Sequence, residues 1–227
     1  MHKRVTLKID IQTYWHAGTG RGRSYEIDSV VHRDRDGLPA LPGRTVKGLL
    51  RDAVAAAEAL GWYDASAKDN AKKGGNKQKG AKSSPPTIDV VNKLFGPLGT
   101  DGAVTHPGWL LLSDAILADD IREILRGDST LRSALFSNVF STAIEHGSGS
   151  ALNKTLRGIE VAVPVALYAA LDIDSSANLH GSHVHPGSMD GKVLAWINTA
   201  LPLIRGVGSH RHRGMGRATF TLSTRAE

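Results

Sequence analysis

Residues 25–51 read YEIDSVVHRDRDGLPALPGRTVKGLLR, and the reading of this stretch decides the rest. A polar loop carrying Asp28 tightens into Leu41-Pro42-Gly43. After that turn, Val46, Leu49, Leu50, Ala53, Val54, Ala57 and Leu60 recur at helical spacing, with Thr45 placed as cap and Gly61 as stop. Lys47 and Arg51 are four apart and share one face of that helix. At the helix's first turn such cations suit a phosphate backbone; the plain alternative is a solvated face.

Upstream, Val5, Leu7, Ile9 and Ile11 alternate with polar residues, the period of a half-buried strand. The loop that follows, HAGTGRGRS over 16–24, holds three glycines together with Arg21 and Arg23. It can bring backbone amides close to a phosphate, yet it is neither a Walker loop nor a dinucleotide fingerprint, because no Gly-Lys-Ser/Thr follows and it opens no helix. Asp28, in this basic setting, is either a working carboxylate or a loop carboxylate that caps a turn or pairs with Arg21 or Arg23.

The chain of 227 residues is long enough to bury a core without staples. It contains no cysteine, which removes disulfide frameworks, thiolate metal sites and thiol nucleophiles. Its net charge of +6 favours a phosphate-rich partner. No apolar run approaches membrane-spanning length and the N-terminus reads as a strand, so a cytoplasmic protein with no membrane partner is expected.

Residues 64–86 carry six lysines and almost no apolar side chain; this composition predicts a flexible, Lys-rich insertion that touches nucleic acid without sequence preference. A short helix is expected over 87–95 and a buried strand over 108–116, then helical pieces over 119–125 and 131–136. Residues 145–155 are polar and Gly/Ser-rich, whereas 159–171 read as one long strand with Pro164 at an edge or bulge, so a protruding thumb-like hairpin is expected at about 140–160. A helix over 193–204 ends at Pro202. The chain closes with GVGSHRHRGMGR, in which Arg211, Arg213 and Arg217 alternate with glycines as a second phosphate-binding candidate, followed by a strand over 218–222. The histidines at 180, 183 and 185, and at 210 and 212, lack the cysteine or helical partners of a zinc site.

The resulting order predicts an α+β protein with a ferredoxin-like or RNA-recognition-motif core, one domain over 1–227 with large loop insertions. Three motifs carry a family resemblance: Ile27 to Asp34 followed by Leu38 to Gly48, Ser141 to Glu145 with Asn153 to Val161, and Gly206 to Arg217. With these the chain resembles the RAMP (repeat-associated mysterious protein) superfamily of CRISPR effector subunits, most closely the backbone subunit that forms the filament of type III interference complexes.

That resemblance implies a subunit that polymerises along a CRISPR guide RNA beside other copies of itself and other effector subunits, in antiviral defence. It implies a thumb, here including Lys154, inserted between segments of guide and target. It also implies cleavage of complementary target RNA by an aspartate before the Pro-Gly turn, the position of Asp28, with a divalent cation (Mg2+ or Mn2+) held at Asp28. RNA contacts are then expected from Arg21, Arg23, Arg44, Lys47, Arg51, Lys154, Arg211, Arg213 and Arg217. His32, Arg33 and Asp34 take supporting roles. Here Glu26-Ile27 and Ser29-Val30 flank the aspartate, where the family often has glycine before and proline after. Two further readings stay open: a non-catalytic guide-RNA scaffold, including one from a DNA-targeting complex, and a metal-independent guide-processing ribonuclease using His16 or His32.

Overall fold

The computed structural model describes residues 3–23, 27–63, 89–97, 107–174 and 186–223. The lysine-rich insertion at 64–86 and the histidines at 180, 183 and 185 lie outside the described residues. Two compact units are present, one of 1–3, 47–111 and 172–203, the other of 4–46, 112–171 and 204–227.

Six strands and five helices are described: β1 (Lys3–Ile11), α1 (Gly43–Ala59), α2 (Val90–Phe95), β2 (Leu110–Leu112), α3 (Asp119–Gly127), α4 (Ser129–Ala134), β3 (Phe136–Ser141), β4 (Arg157–Ala162), β5 (Ala166–Ile173), α5 (Pro186–Ala200) and β6 (Ala218–Ser223). One sheet runs β2-β5-β1-β6; a second pairs β3 with β4. Without α2 and the insertion that holds α3, α4, β3 and β4, the order is strand, helix, strand, strand, helix, strand. That is the ferredoxin-like α+β core expected from the sequence.

The alternation in β1 does what a period of two requires. Val5, Leu7, Ile9 and Ile11 are buried, and β1 pairs antiparallel with β6 so that Ile9 faces Phe220 and Ile11 faces Ala218. Each such aliphatic side chain contributes about 1.5–3 kcal/mol of apolar burial. In β5, Leu167, Ala169, Leu171 and Ile173 repeat the same pattern.

In the 47–111/172–203 unit, Leu50, Val54 and Ala57 of α1 are fully buried, as are Val90 and Leu94 of α2. Asp89 caps α2 by accepting from the Asn92 amide at 3.1 Å. Tyr63 meets Trp196 edge to face at 6.4 Å and donates its hydroxyl to the Trp196 carbonyl.

In the 4–46/112–171/204–227 unit, α1 begins at Gly43 rather than at Thr45. The cap also differs from expectation: the Gly43 amide donates to Asp114 Oδ1 at 2.7 Å, and the amides of Thr45 and Val46 donate to the Pro42 carbonyl. A Cβ on residue 43 would lie 2.8 Å from the carbonyl oxygens of Leu112 and Ser113, so only glycine permits the approach that delivers this remote carboxylate.

Four further boundaries are corrected. The expected strand over 108–116 is only Leu110–Leu112, with Leu111 exposed. Phe136 opens β3 instead of ending a helix. Pro164 does not sit within one long strand; it separates β4 from β5, and the two strands belong to different sheets. A residue without an amide hydrogen cannot continue a ladder, and the chain changes sheets there. The helix expected over 193–204 spans Pro186–Ala200, with a 3-10 turn at Leu201–Leu203 containing Pro202.

Candidate nucleic-acid interface

All of the following lies in the 4–46/112–171/204–227 unit except where α1's later cations are named. The loop after β1 folds back on residues 27–33 through short antiparallel bridges, Gly18 with Val31 and Arg23 with Ile27. A cleft of about 750 Å3 opens beside this arrangement. Arg21, Arg23, His32, Arg33 and Arg44 line it, together with Gly18 and Gly22 of the first loop and with Gly208 and Ser209 of the C-terminal loop.

The C-terminal loop reaches the cleft because Gly208 adopts a φ of +75° and passes so close to His16 that a Cβ would lie 2.3 Å from the His16 carbonyl oxygen. The Ser209 amide donates to that same oxygen at 2.8 Å. Beyond it, Arg211 and Arg213 stand exposed on a 3-10 turn, and Arg217 is exposed just before β6.

Beneath the cleft, β4 presents a buried carboxylate. Glu160 is 5 % exposed. Its Oε2 accepts from the Val31 amide at 3.0 Å, and its Oε1 accepts from the Arg33 guanidinium at 2.7 Å, with Arg23 at 3.9 Å. Its main chain is engaged as well, the amide donating to the Ser29 carbonyl and the carbonyl receiving His16 Nδ1 at 2.5 Å. Because a carbonyl only accepts, Nδ1 carries a hydrogen, and Nε2 shares a hydrogen bond with the Ser29 hydroxyl at 3.0 Å. Arg33 also covers the Phe136 ring at 3.6 Å.

Asp28 lies on this same segment. Its amide donates to the Gly158 carbonyl at 2.8 Å, while its exposed carboxylate has no partner among the described residues. The cap or the pairing with Arg21 or Arg23 that the sequence left open is therefore not formed; Arg23 turns to Glu160 instead. Among the described residues no three His, Asp or Glu side chains cluster as metal ligands. A single exposed carboxylate nevertheless fits a magnesium-type ion that takes its other ligands from phosphate and water.

The other predicted residues divide clearly. Arg21, Arg23 and Arg44 meet at the cleft. Lys47 and Arg51 belong to the other unit, where Lys47 Nζ donates to the Leu110 carbonyl at 3.0 Å and Arg51 to the Gly96 carbonyl at 3.3 Å. Partial burial, with Arg51 nearby, holds the Lys47 ammonium below its usual pKa. Lys154 is exposed, with a φ of +61°, in the loop of the β3-β4 hairpin. That hairpin is the expected thumb: its base is packed through Val161 and Ala162, whereas Phe140, Ile144, Leu152 and Leu156 are exposed.

Of the supporting residues, His32 and Arg33 both line the cleft, and Asp34 does not. Asp34 Oδ1 instead caps a turn by accepting from the amides of Asp36 and Leu38. Arg122 of α3 bridges Asp34 and Asp36 at 3.3 and 2.7 Å, and Arg126 adds a contact to Asp36 at 2.8 Å. His16 is 3 % exposed with both ring nitrogens engaged, an arrangement for holding backbone rather than for exchanging protons with a substrate. Glu160 escaped the sequence reading; its only signal is a lone charge within the apolar run IEVAV.

Comparison with known proteins agrees with this architecture. No curated protein matches the chain. Among solved structures it is similar to a chain of a type III-B Cmr-beta complex in the apo state, at 12 % identity over 96 % of each chain with a TM-score of 0.59. It is likewise similar to a chain of type III-B Cmr-beta bound to cognate target RNA, at 12 % identity, 96 % of each chain and a TM-score of 0.57. At that identity the likeness is one of fold. No helix among the described residues is long and apolar enough to cross a membrane. The family description RAMPs, RAMP superfamily, matches residues 8–219, and the chain belongs to that superfamily.

Proposed function

We propose that this chain is an RNA-binding backbone subunit of a type III CRISPR effector complex, packed along a guide RNA beside further copies of itself and other effector subunits, and that it cleaves complementary target RNA through Asp28. The observation that carries this is the Arg21/Arg23/Arg33/Arg44 cleft, built on the same backbone segment that exposes an unpartnered Asp28. The exposed arginines of the C-terminal loop extend the basic surface, and the hairpin, with Lys154 in its loop, supplies the thumb.

In this reading the arginines bind phosphates, and the glycine loops let backbone approach the strand. Asp28 assists deprotonation of a ribose 2′-hydroxyl, which attacks the adjacent phosphorus and expels the 5′-oxygen; that oxygen takes a proton from water, leaving a 2′,3′-cyclic phosphate and a 5′-hydroxyl. The cleft guanidinium groups stabilise the charge that develops on the phosphate. Asp28 would be the protein's ligand to Mg2+ or Mn2+, an ion that when bound neutralises phosphate charge and acidifies the hydroxyl.

Asp28→Asn in the assembled complex tests this reading. Cleavage of complementary RNA should fall at least about 100-fold, the usual scale of a lost general base, while guide and target binding persist; cleavage at wild-type rate would overturn it. Among the described residues Asp28 belongs to no group of three His, Asp or Glu side chains, which favours a second reading, a scaffold without cleavage. In that case wild type cuts nothing in magnesium or manganese.

A further inference from the structure

The buried carboxylate beneath the cleft has no place in the chemistry above, yet Glu160 bonds to three residues of the cleft wall, His16, Val31 and Arg33. Glu160 holds the segment next to Asp28 from three sides: its amide to the Ser29 carbonyl, its carbonyl to His16, its Oε2 to the Val31 amide. Its remaining oxygen faces two cleft arginines, and faces them unequally. Arg33 is 30 % exposed and bonded at 2.7 Å; Arg23 is 67 % exposed and only at 3.9 Å. One is a committed partner and the other is a loose one.

We infer that Glu160 is a positioning residue that sets the anion affinity of the cleft: it withholds Arg33 from an incoming phosphate and leaves Arg23 free to bind one. This rests on the reading of the cleft as a phosphate site. A carboxylate within reach of a guanidinium lowers what that guanidinium gains from a phosphate, because the existing attraction must be given up first. Arg23, mostly in water and beyond hydrogen-bonding distance, gives up little and moves to the ligand. Arg33 stays on Glu160 and keeps the 29–33 segment in register with β4. Glu160 thus prevents the empty cleft from gripping any polyanion tightly, while holding its wall in shape.

Glu160→Gln keeps an acceptor for the Val31 amide and removes the charge. The full-length chain, as wild type, E160Q, R23Q and the double variant, is titrated with a fluorescein-labelled oligouridylate across a salt series and, separately, with inorganic pyrophosphate. E160Q should bind both probes more tightly, and its log K against log salt slope should steepen by about 0.7 for each arginine released. The double variant should bind no more tightly than R23Q plus the contribution of a freed Arg33. Glu160→Asp, one methylene shorter, gives a partial gain and serves if E160Q does not fold.

Unchanged slope and affinity in E160Q and E160D, or weaker binding of both probes, overturns the inference. If wild type binds no RNA yet E160Q gains pyrophosphate affinity, the functional reading falls and the role of Glu160 stands.

Discussion

Arg21 and Arg44 line the cleft and their side chains have no partner among the described residues, whereas Lys47 and Arg51, a few positions beyond Arg44, each donate to a backbone carbonyl. In sequence these four cations look alike: all are basic, all flank the Pro-Gly turn, and all were assigned to RNA. What separates them is how their donors are spent. A cation already satisfied inside the protein must break a bond before it can bind a phosphate; one facing an open cleft has only water to lose.

Three experiments sharpen or break that contrast. The largest effect is expected from neutralising Arg21, Arg23 and Arg44 together to glutamine. The salt slope of RNA binding should flatten by roughly 2, at about 0.7 per phosphate contact on a single strand, as read from fluorescence anisotropy. An unchanged slope would mean that the cleft is not the phosphate site.

Next in size is Arg122→Ala. Arg122 is 14 % exposed and holds both Asp34 and Asp36 on the turn that follows His32 and Arg33. Its loss should cost about 2–3 kcal/mol in urea unfolding, because it leaves the mostly buried Asp34 carboxylate without its cation, whereas Asp36 keeps Arg126. The same turn gives an acid dependence of definite sign. The Arg126 hydrogen bond, with help from Arg122, holds the Asp36 carboxyl below its ordinary value of 3.8. The pairing therefore contributes stability above that value and loses it as pH falls through the folded-state pKa.

The smallest effect is expected from Lys47→Met, about 1 kcal/mol of stability from the lost bond to the Leu110 carbonyl, with the RNA salt slope unmoved. The sign of the pH effect is the same here, but its cause is burial rather than pairing. Burial, then Arg51, lowers the Lys47 pKa from its ordinary 10.5. The unfolded chain thus holds the proton more tightly, and in wild type this group makes stability rise with pH between the folded value and 10.5. In the methionine variant that rise disappears. A slope that flattened instead would return α1 to the RNA surface and erase the contrast.

Much of the fold could be read from periodicity, because β1, α1 and β6 each bury one face and their apolar residues repeat accordingly. The thumb was readable from a polar, glycine-rich centre between apolar flanks. What failed was whatever depends on partners distant in sequence. Asp114 caps α1 from 71 residues away, so Thr45, a locally plausible cap, was preferred. Pro164 was known to disturb a strand, yet nothing local says that the chain changes sheets there. At the site, the arginines and Asp28 were visible as residue types in a basic loop. The division of labour was not, since Glu160 meets Val31 across 129 residues and His16 across 144.

The central claim is that RNA lies in the cleft of the 4–46/112–171/204–227 unit rather than along α1, and photocrosslinking addresses it directly. With RNA carrying 4-thiouridine and the wild-type chain, peptide mapping should place crosslinks within residues 16–33, at the start of α1 around Arg44, and within 205–217. Crosslinks confined to residues 47–60, with none in those segments, would contradict the account.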